Sequence, residues 1–161
     1  MYYNYDRVLS YNAFINILIG ERGVGKTYGI TKEVIERFLK YGERFVYIRR
    51  YKTELSKSAP KFFDKVKDIE DYKPFKFKYN NNEFYIDDRL AGYSVVLSTA
   101  QQLKGSNYDN VKWFIFDEFI IENNFNHYLP DEVNTFLRSY WNNSTYARCA
   151  LLFIRKQRHN K

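Results

Sequence analysis

The sequence predicts an α/β fold with a mostly parallel central sheet sandwiched by helices. Apolar runs of strand length alternate along it with segments of helical period. VKWFIFDE (111–118) stays apolar through its middle, as a strand covered on both faces does. The run AFINILI (13–19) leads into a glycine-rich turn that opens directly into an amphipathic helix.

Each element has its own signal. AFINILI reads as a buried strand and GERGVGKT (20–27) as the turn after it. The helix from about Lys26 to Lys40 sets Ile30, Val34, Ile35, Phe38 and Leu39 at helical spacing, and Tyr41-Gly42 stops it. RFVYIRR (44–50) is a second strand. KTELSKSAPKFFDKVKDIE (52–70) has a helical pattern that Pro60 interrupts. KPFKFKY (73–79) alternates strictly, NNN (80–82) suits a turn, and EFYID (83–87) returns, which predicts a β-hairpin inserted into the α/β core. YSVVLST (93–99) and VKWFIFDE are further strands. PDEVNTFLRSYW (130–141) starts with proline and acids, as helices do, and ARCALLFI (147–154) is a last core strand before the basic tail RKQRHNK.

Bulk properties bound the function. A chain of 161 residues with 45% apolar residues holds one domain with a sizeable core. Its net charge of +7 favours polyanionic partners, nucleic acid above all. A single cysteine, Cys149, excludes an internal disulfide and fits a reducing compartment. His127 and His159 have no ligand array around them, so no zinc site is expected. No apolar stretch reaches the length of a membrane span, and the opening MYYNYDRVLSYN is too polar for a signal peptide.

The turn carries the chemistry. Gly20, Gly25, Lys26 and Thr27 satisfy G-x-x-x-x-G-K-[ST], the Walker A pattern, with Glu21, Arg22, Gly23 and Val24 between them. Glycines let backbone N–H groups curl around phosphate oxygens, and the helix that follows aims its positive end at the same anion. Lys26 supplies a charge for the β- and γ-phosphates, and the Thr27 hydroxyl is a Mg²⁺ ligand. Arg22 is a second charge in the loop that would sense the γ-phosphate.

A phosphate loop hydrolyses nothing without a carboxylate, and FIFDE supplies the Walker B acids, Asp117 and Glu118, at a strand's carboxyl end. Asp117 is expected to hold Mg²⁺ through water, and Glu118 to orient and deprotonate the attacking water. RFVYIRR and YSVVLST lie between the loop helix and the acidic strand, and a glutamate follows that strand's aspartate directly. These features predict a P-loop NTPase of the additional-strand, catalytic-glutamate division. With no N-K-x-D guanine-reading motif, ATP is favoured over GTP.

YNYDRVLSYN, IGERGVGKTY, RFVYIRRYKTEL, FYIDDRLAGYSVVLS, FDEFI and YLPDEVN together resemble the genome-packaging ATPases of small podophages, the phi-twenty-nine type, over residues 3 to 137. The resemblance implies an ATPase domain over 1–161, and a C-terminal nuclease-like, DNA-gripping domain that this chain lacks. It implies homo-oligomeric rings at the portal of a procapsid, pumping double-stranded DNA inward in the host cytoplasm with no membrane involved. Some relatives use a packaging RNA. Lys26, Thr27, Asp117 and Glu118 match the family's phosphate, Mg²⁺ and acidic positions. Arg49, Arg50 and Lys52 lie where ring neighbours would meet, with Lys52 or Arg49 as trans-acting candidates. Past Leu137 the register breaks, which leaves Arg138 and Arg148 as the two candidates for an arginine finger. The inserted hairpin and the loop 105–110 are candidate DNA-facing segments. Two other functions share these motifs: a DNA helper ATPase of recombination or transposition type, and a non-catalytic nucleotide-gated binding module.

Overall fold

A computed structural model of the chain describes residues 5–20, 23–99, 110–121, 127–143 and 148–152. The elements are α1 (Tyr5–Ser10), β1 (Ile15–Leu18), α2 (Lys26–Tyr41), β2 (Arg44–Arg49), α3 (Lys52–Ser58), β3 (Phe77–Asn80), β4 (Glu83–Ile86), β5 (Arg89–Val96), β6 (Val111–Asp117), α4 (Glu132–Asn143) and β7 (Arg148–Leu152). Seven strands form one sheet in the order β1-β7-β6-β2-β5-β4-β3.

Alternation along the central strands builds two apolar layers. Phe45 and Tyr47 of β2, with Trp113 and Ile115 of β6, pack on one face against Ile30, Val34, Ile35 and Phe38 of α2. Val46, Ile48, Phe114 and Phe116 face the other way, toward Phe136 of α4. The same parity sends Arg49 and Arg50, consecutive at the end of β2, to opposite faces. Asp117, in step with Trp113 and Ile115, falls on the α2 face.

This architecture corrects the fold expectation. The sheet is mixed: β1, β7, β6, β2 and β5 are parallel neighbours, whereas β4 is antiparallel to β5 and β3 to β4. The hairpin is no insertion, because β4 pairs directly with core strand β5 and all three strands continue the main sheet. A second two-residue turn, Asp87-Asp88, makes this possible. Both residues take positive φ (49° and 59°), as do Asn81 and Asn82 in the preceding turn (48° and 64°). Short polar side chains tolerate that region, and two such residues in a row make the turn that suits tight hairpins. The strand between β1 and β6 is β7, the last among the described residues, rather than any of the four strands between them in sequence. On the β1 edge Ile17 and Ile19 are exposed, so helices do not cover the sheet evenly there.

Residues 52–72 make one short helix and three 3₁₀ turns rather than a long helix. Pro60 stops the α-helix, and Phe62 and Phe63 then turn inward onto an aromatic cluster. Phe62 stacks on Phe45 at 5.1 Å between ring centroids and lies 5.0 Å from Phe84, while Phe63 lies 4.8 Å from Phe77.

Helix α1, unmarked in the sequence, is pinned to the glycine loop, as the Tyr5 hydroxyl donates to the Lys26 carbonyl at 2.7 Å. The edge of the Tyr5 ring abuts Gly29, where a Cβ would overlap two of its carbons. In an open helix, Gly→Ala gains about 1 kcal/mol. Here the sign reverses: Gly29→Ala is expected to lower stability by about 1–3 kcal/mol, read as a lower urea midpoint, because overpacking displaces the ring. A midpoint at or above the parent's would contradict the contact.

Candidate functional site

The parallel strands β1, β2 and β6 end at one edge of the sheet, where α2 begins. Gly25 caps α2 at φ 83°, a left-handed value that glycine adopts without penalty, and no side chain caps the helix. The first turn of α2 therefore offers backbone N–H groups and the positive end of its dipole to an anion. Lys26 is buried, and its Nζ donates back to the Gly20 carbonyl at 2.5 Å. Gly23, Gly25, Lys26 and Thr27 line a cavity of about 530 Å³, and Val24 is half-buried beside it. Glu21 and Arg22 lie outside the described residues.

Across that cavity stand the two acids, with Arg49 between them and their surroundings. Asp117 is 6% exposed. Its Oδ2 accepts from the Tyr47 hydroxyl at 2.9 Å and lies 3.3 Å from Arg49 Nη1. Arg49 Nη2 donates to Glu118 Oε2 at 2.7 Å, and Nε lies 3.9 Å from Glu54. Burial pushes the Asp117 carboxyl above its ordinary value, against the pull of Arg49 and the Tyr47 hydrogen bond, and Glu118 adds to the rise. Burial works against the charge of Arg49, but Tyr47, Asp117, Glu118 and Glu54 outweigh it and raise its pKa. Burial also raises the Tyr47 phenol far out of its ordinary range, with Asp117 adding to the effect, so it acts as a donor.

Glu118 itself has φ 56°, a left-handed conformation for a residue that bears a Cβ. Such a conformation costs of order 1–3 kcal/mol and persists only where surrounding contacts enforce it.

A magnesium ion fits this donor set. Asp117 Oδ1 is buried and makes no hydrogen bond among the described residues, which leaves an acceptor for a metal-bound water. The Thr27 hydroxyl lines the same cavity, and oxygen-only ligation suits a hard divalent cation.

The remaining expected site residues are dispersed. Lys52 opens α3 on the surface, and Arg138 is exposed on α4. Arg148 begins β7 opposite Trp113, at the far end of the sheet from Asp117, which pairs with Leu152. Arg49 is buried against the acids of its own chain. The hairpin face that bears Lys76 and Lys78 is exposed, and loop residues 105–109 lie outside the described residues. Sequence reasoning missed Tyr47, Ser58 and Lys65. Ser58 and Lys65 line the cavity, and Tyr47 reaches it through Asp117. Only the alternation of RFVYIRR carried a signal, since it puts Tyr47 and Arg49 on one face.

The podovirus DNA encapsidation protein (Gp16) family matches residues 1–149. The DNA packaging protein of Bacillus phage phi29 is 39% identical over 155 residues, covering 94% of this chain and 46% of the relative. The chain thus spans about half the length of that curated relative. The N-terminal domain of the DNA packaging ATPase from bacteriophage phi29 superposes with a TM-score of 0.86 at 37% identity, covering 94% of this chain and 78% of that one. A chain of the phi29 viral genome packaging motor assembly superposes with a TM-score of 0.84 at 38% identity, covering 94% and 46%. The fold class expected from the sequence, a P-loop NTPase of the additional-strand, catalytic-glutamate division, is corrected accordingly. This is a mixed-sheet α/β domain like the N-terminal domain of that ATPase. Among the described residues no helix is long and apolar enough to cross a membrane.

Proposed function

The chain belongs to the podovirus DNA encapsidation protein (Gp16) family, and from that premise we propose that it binds and hydrolyses Mg·ATP to drive viral DNA packaging. The observation that supports this reading is the meeting of Lys26 and Thr27 with Asp117 and Glu118 around one cavity. The β- and γ-phosphates would take the place of the Gly20 carbonyl on Lys26 Nζ, with the amides at the start of α2 closing around them. Thr27 and, through water, Asp117 would hold Mg²⁺, which supplies charge neutralisation across the phosphates. Glu118 accepts the proton of the attacking water. Arg49, paired with Asp117 at 3.3 Å and hydrogen-bonded to Glu118, offsets part of the burial that raises the Asp117 carboxyl.

In this reading hydrolysis moves double-stranded DNA into a procapsid through its portal, in the host cytoplasm. The chain acts with further copies of itself in a ring, with a packaging RNA as one more partner. Lys52, Arg138 and Arg148 are then candidates to reach a neighbour's nucleotide.

Calorimetric titration with Mg·AMP-PNP tests the site. The parent chain is expected to bind, and Lys26→Ala to weaken binding by roughly 100-fold, about 2.7 kcal/mol, through loss of a charged contact to phosphate. Equal binding by both would sink the assignment. Dependence of turnover on empty procapsids separates packaging from a recombination-type helper, whose turnover DNA alone would stimulate.

A further inference from the structure

Glu118 stands in a left-handed conformation that nothing in its own side chain favours, and the neighbouring residues show what enforces it. Arg50, on the face of β2 opposite Arg49, is 2% exposed. Its Nη1 donates to the Glu118 carbonyl at 3.2 Å and its Nη2 to the Phe119 carbonyl at 2.6 Å. The same guanidinium forms a two-pronged pair with Glu132, Nε to Oε2 and Nη2 to Oε1, both at 2.6 Å. It lies 5.4 Å from the centre of the Phe116 ring and 5.1 Å from that of Tyr128. Glu132 Oε2 also accepts from the Leu129 amide at 2.9 Å. One planar cation thus ties the main chain just after the acidic strand to the first turn of α4.

We propose that Arg50 is a positioning residue for Glu118. By gripping the carbonyls of residues 118 and 119 it holds the main chain in the left-handed turn that delivers the Glu118 carboxylate to the cavity. Through Glu132 it makes that placement depend on the seating of α4. The inference rests on the reading of Glu118 as the base in ATP hydrolysis. Among the described residues the Arg50 guanidinium bonds a lining residue of the cavity only at the Glu118 carbonyl, so its effect belongs on the chemical step rather than on nucleotide binding. Lysine cannot replace it, because an ammonium is a point donor without the fork that spans two carbonyls and a carboxylate.

The test measures Mg·ATP hydrolysis and Mg·AMP-PNP binding for the full chain and three variants: Arg50→Lys, Glu118→Gln and the double variant. Arg50→Lys is expected to lower kcat by roughly 10- to 100-fold while KM and the AMP-PNP dissociation constant stay within about twofold. In the Glu118→Gln background the same change is expected to lower the residual rate no further, because the carboxylate it positions is gone. A purely structural role predicts weaker binding alongside slower turnover, and an equal loss in both backgrounds. Either result overturns the proposal, as does Arg50→Lys at the parent kcat. Should Arg50→Lys not fold, Glu132→Gln takes its place. It keeps the side-chain shape, loosens the guanidinium and is expected to lower kcat by roughly 3- to 10-fold at constant KM. An unchanged kcat there overturns the proposal equally. A parent chain that neither binds nor hydrolyses Mg·ATP removes the reading beneath the proposal, and the proposal with it.

Discussion

Glu118→Gln is expected to lower the rate of Mg·ATP hydrolysis by roughly 10²- to 10⁴-fold, the range for losing a positioned general base, with nucleotide binding retained. The substitution preserves shape, and its amide oxygen still accepts from Arg49 Nη2, which now bonds Glu118 Oε2 at 2.7 Å. Only the capacity to take a proton is lost. Lys26 and the first turn of α2, the expected phosphate contacts, line the same cavity and are untouched by the substitution. Single-turnover phosphate release together with fluorescent-nucleotide binding separates the two quantities. Turnover equal to the parent's would remove Glu118 from the chemistry. Low turnover before and after would favour a nucleotide-gated binding module.

Asp117→Asn is expected to act on metal and stability together. On the proposed role of Asp117 in holding Mg²⁺ through water, its loss weakens Mg²⁺-dependent nucleotide binding by roughly 10- to 100-fold. The stability effect follows from burial. The Asp117 carboxyl sits above its ordinary value of 3.8, chiefly through desolvation, with Arg49, Tyr47 and Lys65 pulling it down and Glu118 pushing it up. A raised carboxyl pKa means that the folded chain holds this proton more tightly than the unfolded chain does. The stability it contributes is full below about pH 3.8 and is lost as pH rises through the folded value. Relative to Asp117→Asn, the parent should therefore lose stability as pH rises from about 4, in Mg²⁺-free buffer. Urea midpoints of both proteins across that range check it. A difference that runs the other way would mean that the pairing with Arg49 outweighs burial.

Local motifs were legible in the sequence, and spatial order was not. The glycine loop and FIFDE could be read because each sits within a few residues, and strand ends bring such motifs to one edge. The helix after the loop ran from Lys26 as expected, since its apolar stripe and Gly42 stop are local signals. The strand placed between the loop strand and the acidic strand was not legible. β7 closes that gap from the far end of the chain, and no local pattern encodes a neighbour in space. The Asp87-Asp88 turn was missed because two aspartates in succession read as solvated charge rather than as a reversal. Missing it turned a continuous sheet edge into a supposed insertion. The Arg50–Glu132 pair spans 82 residues, and its two members sit in motifs with unrelated local readings. Tyr47 looked like one more core aromatic, and its hydroxyl gains its role only when β6 brings Asp117 alongside β2.

The central claim is that the glycine loop and the two acids share one nucleotide between them. A structure of the chain with Mg·AMP-PNP at saturation tests it most directly. The account predicts phosphates against the amides of residues 23–27, and Lys26 Nζ moved from the Gly20 carbonyl onto them. The metal should lie between Thr27 and Asp117. Nucleotide bound elsewhere, with Lys26 still on Gly20, would contradict it.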